Sequence, residues 1–157
     1  MHKHLLILLS LAMLTLGMAS TQAKEAGSQK QADTVVKFRQ SLLQLVRSNM
    51  GSLGAMAKGN IPFDTDVMQK NGMRIEQLSL MMPDYFMTDT RGFETKTEAK
   101  PEIWDNNEDF AEKMQALTDA AKGLQMAAAS GDESSYGKAI GAVGAACKSC
   151  HDKYKMD

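Results

Sequence analysis

The sequence predicts an all-α chain folded as an antiparallel four-helix bundle. Three observations predict it. Apolar residues recur at three- and four-residue steps through four segments. No segment alternates with period two. The connections between the segments run short, long, short. With 157 residues, 43% hydrophobic and 24% charged, the chain can bury one core and is too apolar for disorder. A net charge of -1 argues against a nucleic-acid binder held by phosphate attraction.

The first 23 residues read as a leader. Lys3 gives a basic start, Leu5 to Met18 is nearly unbroken apolar sequence, and Ala19-Ser20-Thr21-Gln22-Ala23 is a small-residue exit. The apolar run is shorter than the roughly 20 residues that span a bilayer. Residues 1–23 are therefore expected to be a secretory signal peptide, cleaved after Ala23, with Ala19 as the other site. Residues 24–157 form the mature domain, exported and without a membrane span. Removing Lys3 leaves 17 basic residues of the original 18 against 19 acidic, a net charge of -2. His2 and His4 leave as well, so His151 is the one mature histidine.

Residues 24–33 are polar and expected to fray. The first helix is expected from Thr34, with a stripe of Val35, Phe38, Leu42, Leu45, Leu53 and Met56, stopping near Gly59 and Pro62. The second begins at Asp64 or Thr65, both good caps, buries Met68, Ile75, Leu78 and Met82, and ends at Pro83. Residues 84–100 read as a loop longer than bundle connections usually are. Pro101 opens the third helix, whose stripe runs Ile103, Phe110, Met114, Leu117, Ala121, Leu124 and Ala128. Ser130-Gly131-Asp132 is a turn. The fourth helix, Glu133 to Tyr154, carries Tyr136, Ile140, Val143, Cys147, Cys150 and Tyr154 on one face.

That last helix holds the one strong motif. Cys147-Lys148-Ser149-Cys150-His151 is C-x-x-C-H, the attachment signature of c-type haem. Two thiols three residues apart lie on one helix face, so each can form a thioether to one haem vinyl group. The adjacent imidazole binds iron from the proximal side. A structural zinc site needs four Cys or His ligands, and the mature chain has three at most. A redox dithiol belongs in a βαβ context. A plain disulfide between consecutive turns would constrain little. One covalently bound haem c is the expected cofactor.

The sixth iron position is open on this evidence. Bis-histidine ligation is excluded, and methionine is a common partner in electron-transfer cytochromes. Ten methionines remain once Met1, Met13 and Met18 leave with the leader. Several sit on core stripes as ordinary fillers. Gly137, Gly141 and Gly144 step along the fourth helix and point to close approach of a neighbouring helix or of the ring.

An exported four-helix chain with C-x-x-C-H in its last helix resembles the cytochrome c′ family, the class II cytochromes c. Val36-Lys37-Phe38-Arg39-Gln40-Ser41 resembles the family's first-helix motif. Lys58-Gly59 with Pro62-Phe63-Asp64 resembles its first connection, and Pro101-Glu102-Ile103-Trp104 the start of its third helix. The resemblance implies a homodimer paired through the first two helices and a haem with one open axial face. Where low-spin relatives place a methionine on the first helix, this chain has Leu43, which cannot ligate iron. The implied centre is high-spin and five-coordinate, with Leu43 as an apolar lid. Arg39 and Gln40 match positions facing the haem propionates, and Phe86 matches a distal aromatic. The family often has an arginine four residues past the haem histidine; here it is Lys155, which lacks the planar bidentate fork.

The function expected is periplasmic electron transfer by a c-type haem protein able to bind nitric oxide and carbon monoxide, rather than an enzyme. The alternatives are a low-spin Met/His electron carrier and a bundle whose haem is only structural. The expected partners are a small periplasmic redox protein and a second copy of the chain; Lys148, Lys153 and Lys155 could supply a docking patch and are equally ordinary solubilising charges.

Overall fold

The structure, a computed structural model, describes residues 23–156. Apart from Ala23, the leader lies outside the described residues. The elements run β1 Lys24–Glu25, α1 Gln29–Ala57, α2 Thr65–Phe86, β2 Thr88–Asp89, α3 Glu102–Asp105, α4 Asn107–Ser130 and α5 Glu133–Tyr154. The four long helices form the predicted antiparallel bundle. Asn71 donates from α2 to the Asn49 carbonyl of α1 (2.9 Å) while Phe38 meets Tyr85, which sets those two helices antiparallel. Ser79 and Thr118 pair their hydroxyls at 2.7 Å between α2 and α4. Lys113 donates to Ser149 at 3.0 Å between α4 and α5. Helix α5 returns to α1 and closes the ring.

The core is the expected mixture. Leu53, Met68, Ile75, Leu124 and Val143 are fully buried, one or two from each long helix. Each such side chain contributes about 1.5–3 kcal/mol by leaving water. The caps are local: Asp64 accepts from Val67 N (3.0 Å) and Asp132 from Ser134 N (3.1 Å). Gly59 and Gly131 take positive φ, 71° and 72°, where helices α1 and α4 end.

Four expectations are corrected. Residues 24–33 do not fray. Ser28 caps α1 by accepting from Gln31 N (3.2 Å), five residues earlier than hydrophobic periodicity placed the start, and β1 pairs in parallel with β2. Pro83 does not end α2, which runs on to Phe86. Proline removes one N–H, but the last carbonyls find tertiary donors: Arg39 Nε bonds Tyr85 O (2.9 Å) and Trp104 Nε1 bonds Phe86 O (3.0 Å). The third helix is broken at Asn106 (φ -133°, ψ 48°) into α3 and α4. The buried face of α1 is rotated from the expected stripe. Phe38 and Leu45 are 52% and 54% exposed, while Arg39, Val46 and Asn49 are buried. Arg39 takes the buried place, bonded to the end of α2 and the loop, and Phe38 faces outward against Tyr85.

One smaller sequence inference, close approach of a neighbouring helix to the α5 glycines, also changes. A Cβ added at Gly137, Gly141 or Gly144 would meet nothing within 4 Å, so no neighbouring helix packs on them. The long loop is tied down along its length. Arg91 pairs with Asp89 (2.7 Å) and Asp105 (2.5 Å), and Ala99 bridges Lys155 beyond the last helix.

Candidate haem-attachment site

Helix α5 puts Cys147 and Cys150 one turn apart, both free thiols, both half-buried against the core. Burial pushes both thiols up; Cys150 reaches about 11, with Cys147 and Asp109 adding to the rise and Lys113 opposing it. His151 follows on the exposed side of the last turn. Two unpaired thiols facing an apolar interior, with an imidazole beside them, fit a ring joined by two thioethers and ligated from the same helix.

An aromatic row runs from the end of α2 through α4 to the last turn of α5. The Phe86 and Phe110 rings lie 4.7 Å apart, and Phe110 meets Tyr154 edge-on at 5.5 Å. Arg39 covers the other end, its guanidinium 4.7 Å from Phe86 and 5.1 Å from Trp104. It is only 3% exposed. Besides Tyr85 O it donates to Thr90 Oγ1 (3.1 Å) and to Thr88 O. Burial pulls it down to about 10, with Asp89 acting the other way, so it stays a cation at neutral pH. Gln40 is exposed and donates to Lys96 O (2.8 Å). Leu43 is 40% exposed, one turn beyond Arg39 on α1. Concavities on the described surface lie along α1 (Arg47, Met50, Gly51, Gly54) and between α1 and α2 (Leu45, Met73, Leu78); neither is lined by the cysteines.

The structure thus brings Arg39 and Phe86 into contact and places Cys147 and Cys150 on the same core. The three lysines named for docking are each exposed and each paired. Lys148 pairs with Asp152 (2.6 Å), Lys153 with Asp109 (2.9 Å) and Lys155 with Glu98 (3.0 Å). Each of these three lysines carries its own carboxylate, whereas Lys113 of α4 donates to Ser149 inside the motif (3.0 Å). Lys155 is thereby turned to the loop carboxylate. Sequence reasoning missed Asp109 and the anchoring use of Tyr154. Tyr154 OH donates to Asp109 Oδ2 at 2.5 Å. The signal available was a tyrosine closing the core stripe of α5, since a buried phenol needs a polar partner.

Comparison with known proteins agrees with this geometry. A family profile described as Cytochrome C′ matches residues 34–155. Among curated relatives, cytochrome c′ of Alcaligenes xylosoxydans xylosoxydans is 37% identical over 123 residues, 78% of this chain and 94% of that protein. Cytochrome c-554 of Cereibacter sphaeroides is 35% identical over 129 residues, 81% of this chain and 84% of that protein. The solved structure of cytochrome c prime from Shewanella frigidimarina superposes with a TM-score of 0.73 at 34% identity, covering 83% of this chain and all of that one. A nitric oxide complex of a variant of cytochrome c prime from Alcaligenes xylosoxidans superposes at 0.69, with 35% identity over 80% of this chain and 96% of that one. With its bundle, its two free thiols in C-x-x-C-H and these relatives, the chain belongs to the cytochrome c′ family, whose haem c is bound covalently through cysteines.

Proposed function

We propose that the mature protein is a periplasmic electron-transfer protein whose iron is five-coordinate and open to nitric oxide and carbon monoxide. The observation that carries the reading is Leu43, an apolar, part-exposed residue at the position where a methionine ligand would stand. Haem c supplies a one-electron ferric/ferrous couple and, with one protein ligand, an axial position for a diatomic gas. Cys147 and Cys150 hold the ring, and His151 is its iron ligand. Leu43 covers the open face and offers no hydrogen bond, which suits carbon monoxide and nitric oxide better than dioxygen. Arg39 and Gln40 would face the haem propionates, and Phe86 would line the distal side. A nitric oxide complex of a variant of a relative supports the gas reading. The role is redox transfer and gas binding at the iron. Export rests on the leader, cleaved after Ala23.

A homodimer is part of the proposal. Phe38 and Leu45 on α1, and Met73 and Leu80 on α2, leave large apolar side chains exposed on the first two helices. A second copy of that surface is the occupant the family implies.

Absorption spectra with and without carbon monoxide test the iron reading. The expected result is a high-spin ferric spectrum and a ferrous form that binds carbon monoxide directly. A low-spin spectrum with a methionine charge-transfer band would replace it with Met/His-ligated electron transfer.

A further inference from the structure

The last turn of α5 carries His151 and is clamped from two directions. From α4, the Asp109 carboxylate accepts the Tyr154 hydroxyl at 2.5 Å and pairs with Lys153 Nζ at 2.9 Å. One carboxylate therefore holds two consecutive residues that follow the histidine by two and three positions. The Tyr154 ring is buried edge-on against Phe110, and Lys153 Nζ lies 5.3 Å from the centre of that ring. From the loop before α3, Lys100 N donates to Tyr154 O (2.9 Å), and Met156 N donates to Glu98 O (2.8 Å). Lys155 N donates to His151 O (3.1 Å), so the histidine's own carbonyl lies inside this clamp.

A helix end normally frays, because its last carbonyls lack partners. Here the end is fixed to a core helix and to a loop strand. Residues three apart on a helix are neighbours on one face, so anchoring Tyr154 restricts the backbone that aims the imidazole. We propose that Asp109 is a positioning residue for His151, fixing the imidazole's direction through Tyr154 and Lys153 without touching it. The inference rests on His151 being the iron ligand. It goes beyond that assignment by naming the α4 carboxylate that sets its aim, in the way outer partners orient metal ligands.

The test uses the holoprotein and three variants. Asp109→Asn keeps the shape and removes the charge; Tyr154→Phe keeps the ring on Phe110 and removes the hydroxyl; His151→Ala is the control. The readouts are the ferrous iron–histidine stretching band, the reduction potential and amide exchange at Lys155, whose N–H reports on the last turn. In both Asp109→Asn and Tyr154→Phe the band should shift and broaden and the potential should move, and in Tyr154→Phe Lys155 should exchange about tenfold faster, the size of one lost hydrogen bond. Leu124, in the core of α4, should exchange as before. A wild-type band and potential in both variants, whether or not Lys155 exchanges faster, would reduce Asp109 to a structural contact and overturn the proposal. If Asp109→Asn loses its fold, Tyr154→Phe decides alone. A native band in His151→Ala would overturn the ligand assignment and this inference with it.

Discussion

The Arg39 guanidinium stacks on the Phe86 ring, 4.7 Å from its centre, while its nitrogens bind Tyr85 O, Thr88 O and Thr90 Oγ1. One side chain of α1 therefore secures the end of α2, the start of the long loop and an aromatic of the core. A buried cation is tolerated because three donors are used and two aromatic faces, Phe86 and Trp104, surround the charge.

Arg39→Lys keeps the charge but loses the planar fork, so at least two of these acceptors are left without it. The expected cost is about 2–3 kcal/mol in urea unfolding of the holoprotein. Exchange at the end of α2 should quicken more than exchange in α5. A variant as stable as wild type would show that the fork contributes nothing net.

The same loop is held from the N-terminus. Lys24 N donates to Met87 O and Ala26 N to Asp89 O, both at 2.8 Å, and Ala26 is buried. A mature chain beginning at Ser28 loses both bonds and that burial. It should be less stable by about 1–3 kcal/mol, with its helices intact by circular dichroism. Equal stability would show that β1 rides on the loop without securing it.

The helices and most of the core were legible because apolar spacing reports burial directly. Met68, Ile75, Phe110, Leu117, Leu124, Ile140 and Val143 all lie where periodicity put them. The start of α1 was not legible from hydrophobicity, since Gln29 to Asp33 is polar; the signal was Ser28 as a cap. The run through Pro83 was hidden because the donors that make it tolerable come from Arg39 and Trp104, distant in sequence. At the site, the cysteine spacing was readable on its own. The neutralised lysines were not: Lys153 finds Asp109 from another helix and Lys155 finds Glu98 from the loop. Such pairs depend on tertiary placement that local sequence does not encode.

Dimerisation can be tested on the exposed face of α2. Met73 and Leu80 are each about half exposed, seven residues apart and so on one side of the helix. The Met73→Lys, Leu80→Lys double variant should sediment as a monomer where wild type sediments as a dimer. Its folding stability as a monomer should change by about 0.5 kcal/mol or less per site, the usual size for surface substitutions. A monomeric wild type at micromolar concentration would remove the dimer and leave the haem site as described.

The Asp109–Tyr154 bond predicts a pH dependence. The Tyr154 hydroxyl first, and Lys153 second, hold the Asp109 carboxyl below 3.8. A lowered carboxyl pKa gives stability that is complete above the unfolded value and lost as pH falls through the folded one. Burial first, and the bond to Asp109 second, hold the Tyr154 phenol above 10. That contribution is present below 10 and lost as pH rises beyond it. Asp109→Asn should therefore be less stable than wild type at neutral pH, and the gap should close as acid protonates the folded carboxyl, below its ordinary value. A constant gap across the acid range would mean that the carboxyl is not held by this bond.

Leu43 separates an open iron from a closed one. It sits on α1 one turn past Arg39 and is 40% exposed, so substitution there disturbs little packing. Leu43→Met is close to volume-conserving and should cost about 1 kcal/mol or less. Its thioether can ligate where leucine cannot. The variant should become low-spin, show a methionine charge-transfer band, bind carbon monoxide more weakly and have a higher reduction potential, because Met/His ligation favours ferrous iron. Leu43→Ala should keep the high-spin spectrum and bind carbon monoxide faster, since a smaller side chain removes the cover without adding a ligand. The two variants move gas binding in opposite directions from one position, which a general loss of stability would not do. If Leu43→Met stays high-spin and Leu43→Ala leaves the carbon monoxide rate unchanged, position 43 does not face the iron. The open face must then be sought on another side chain of α1.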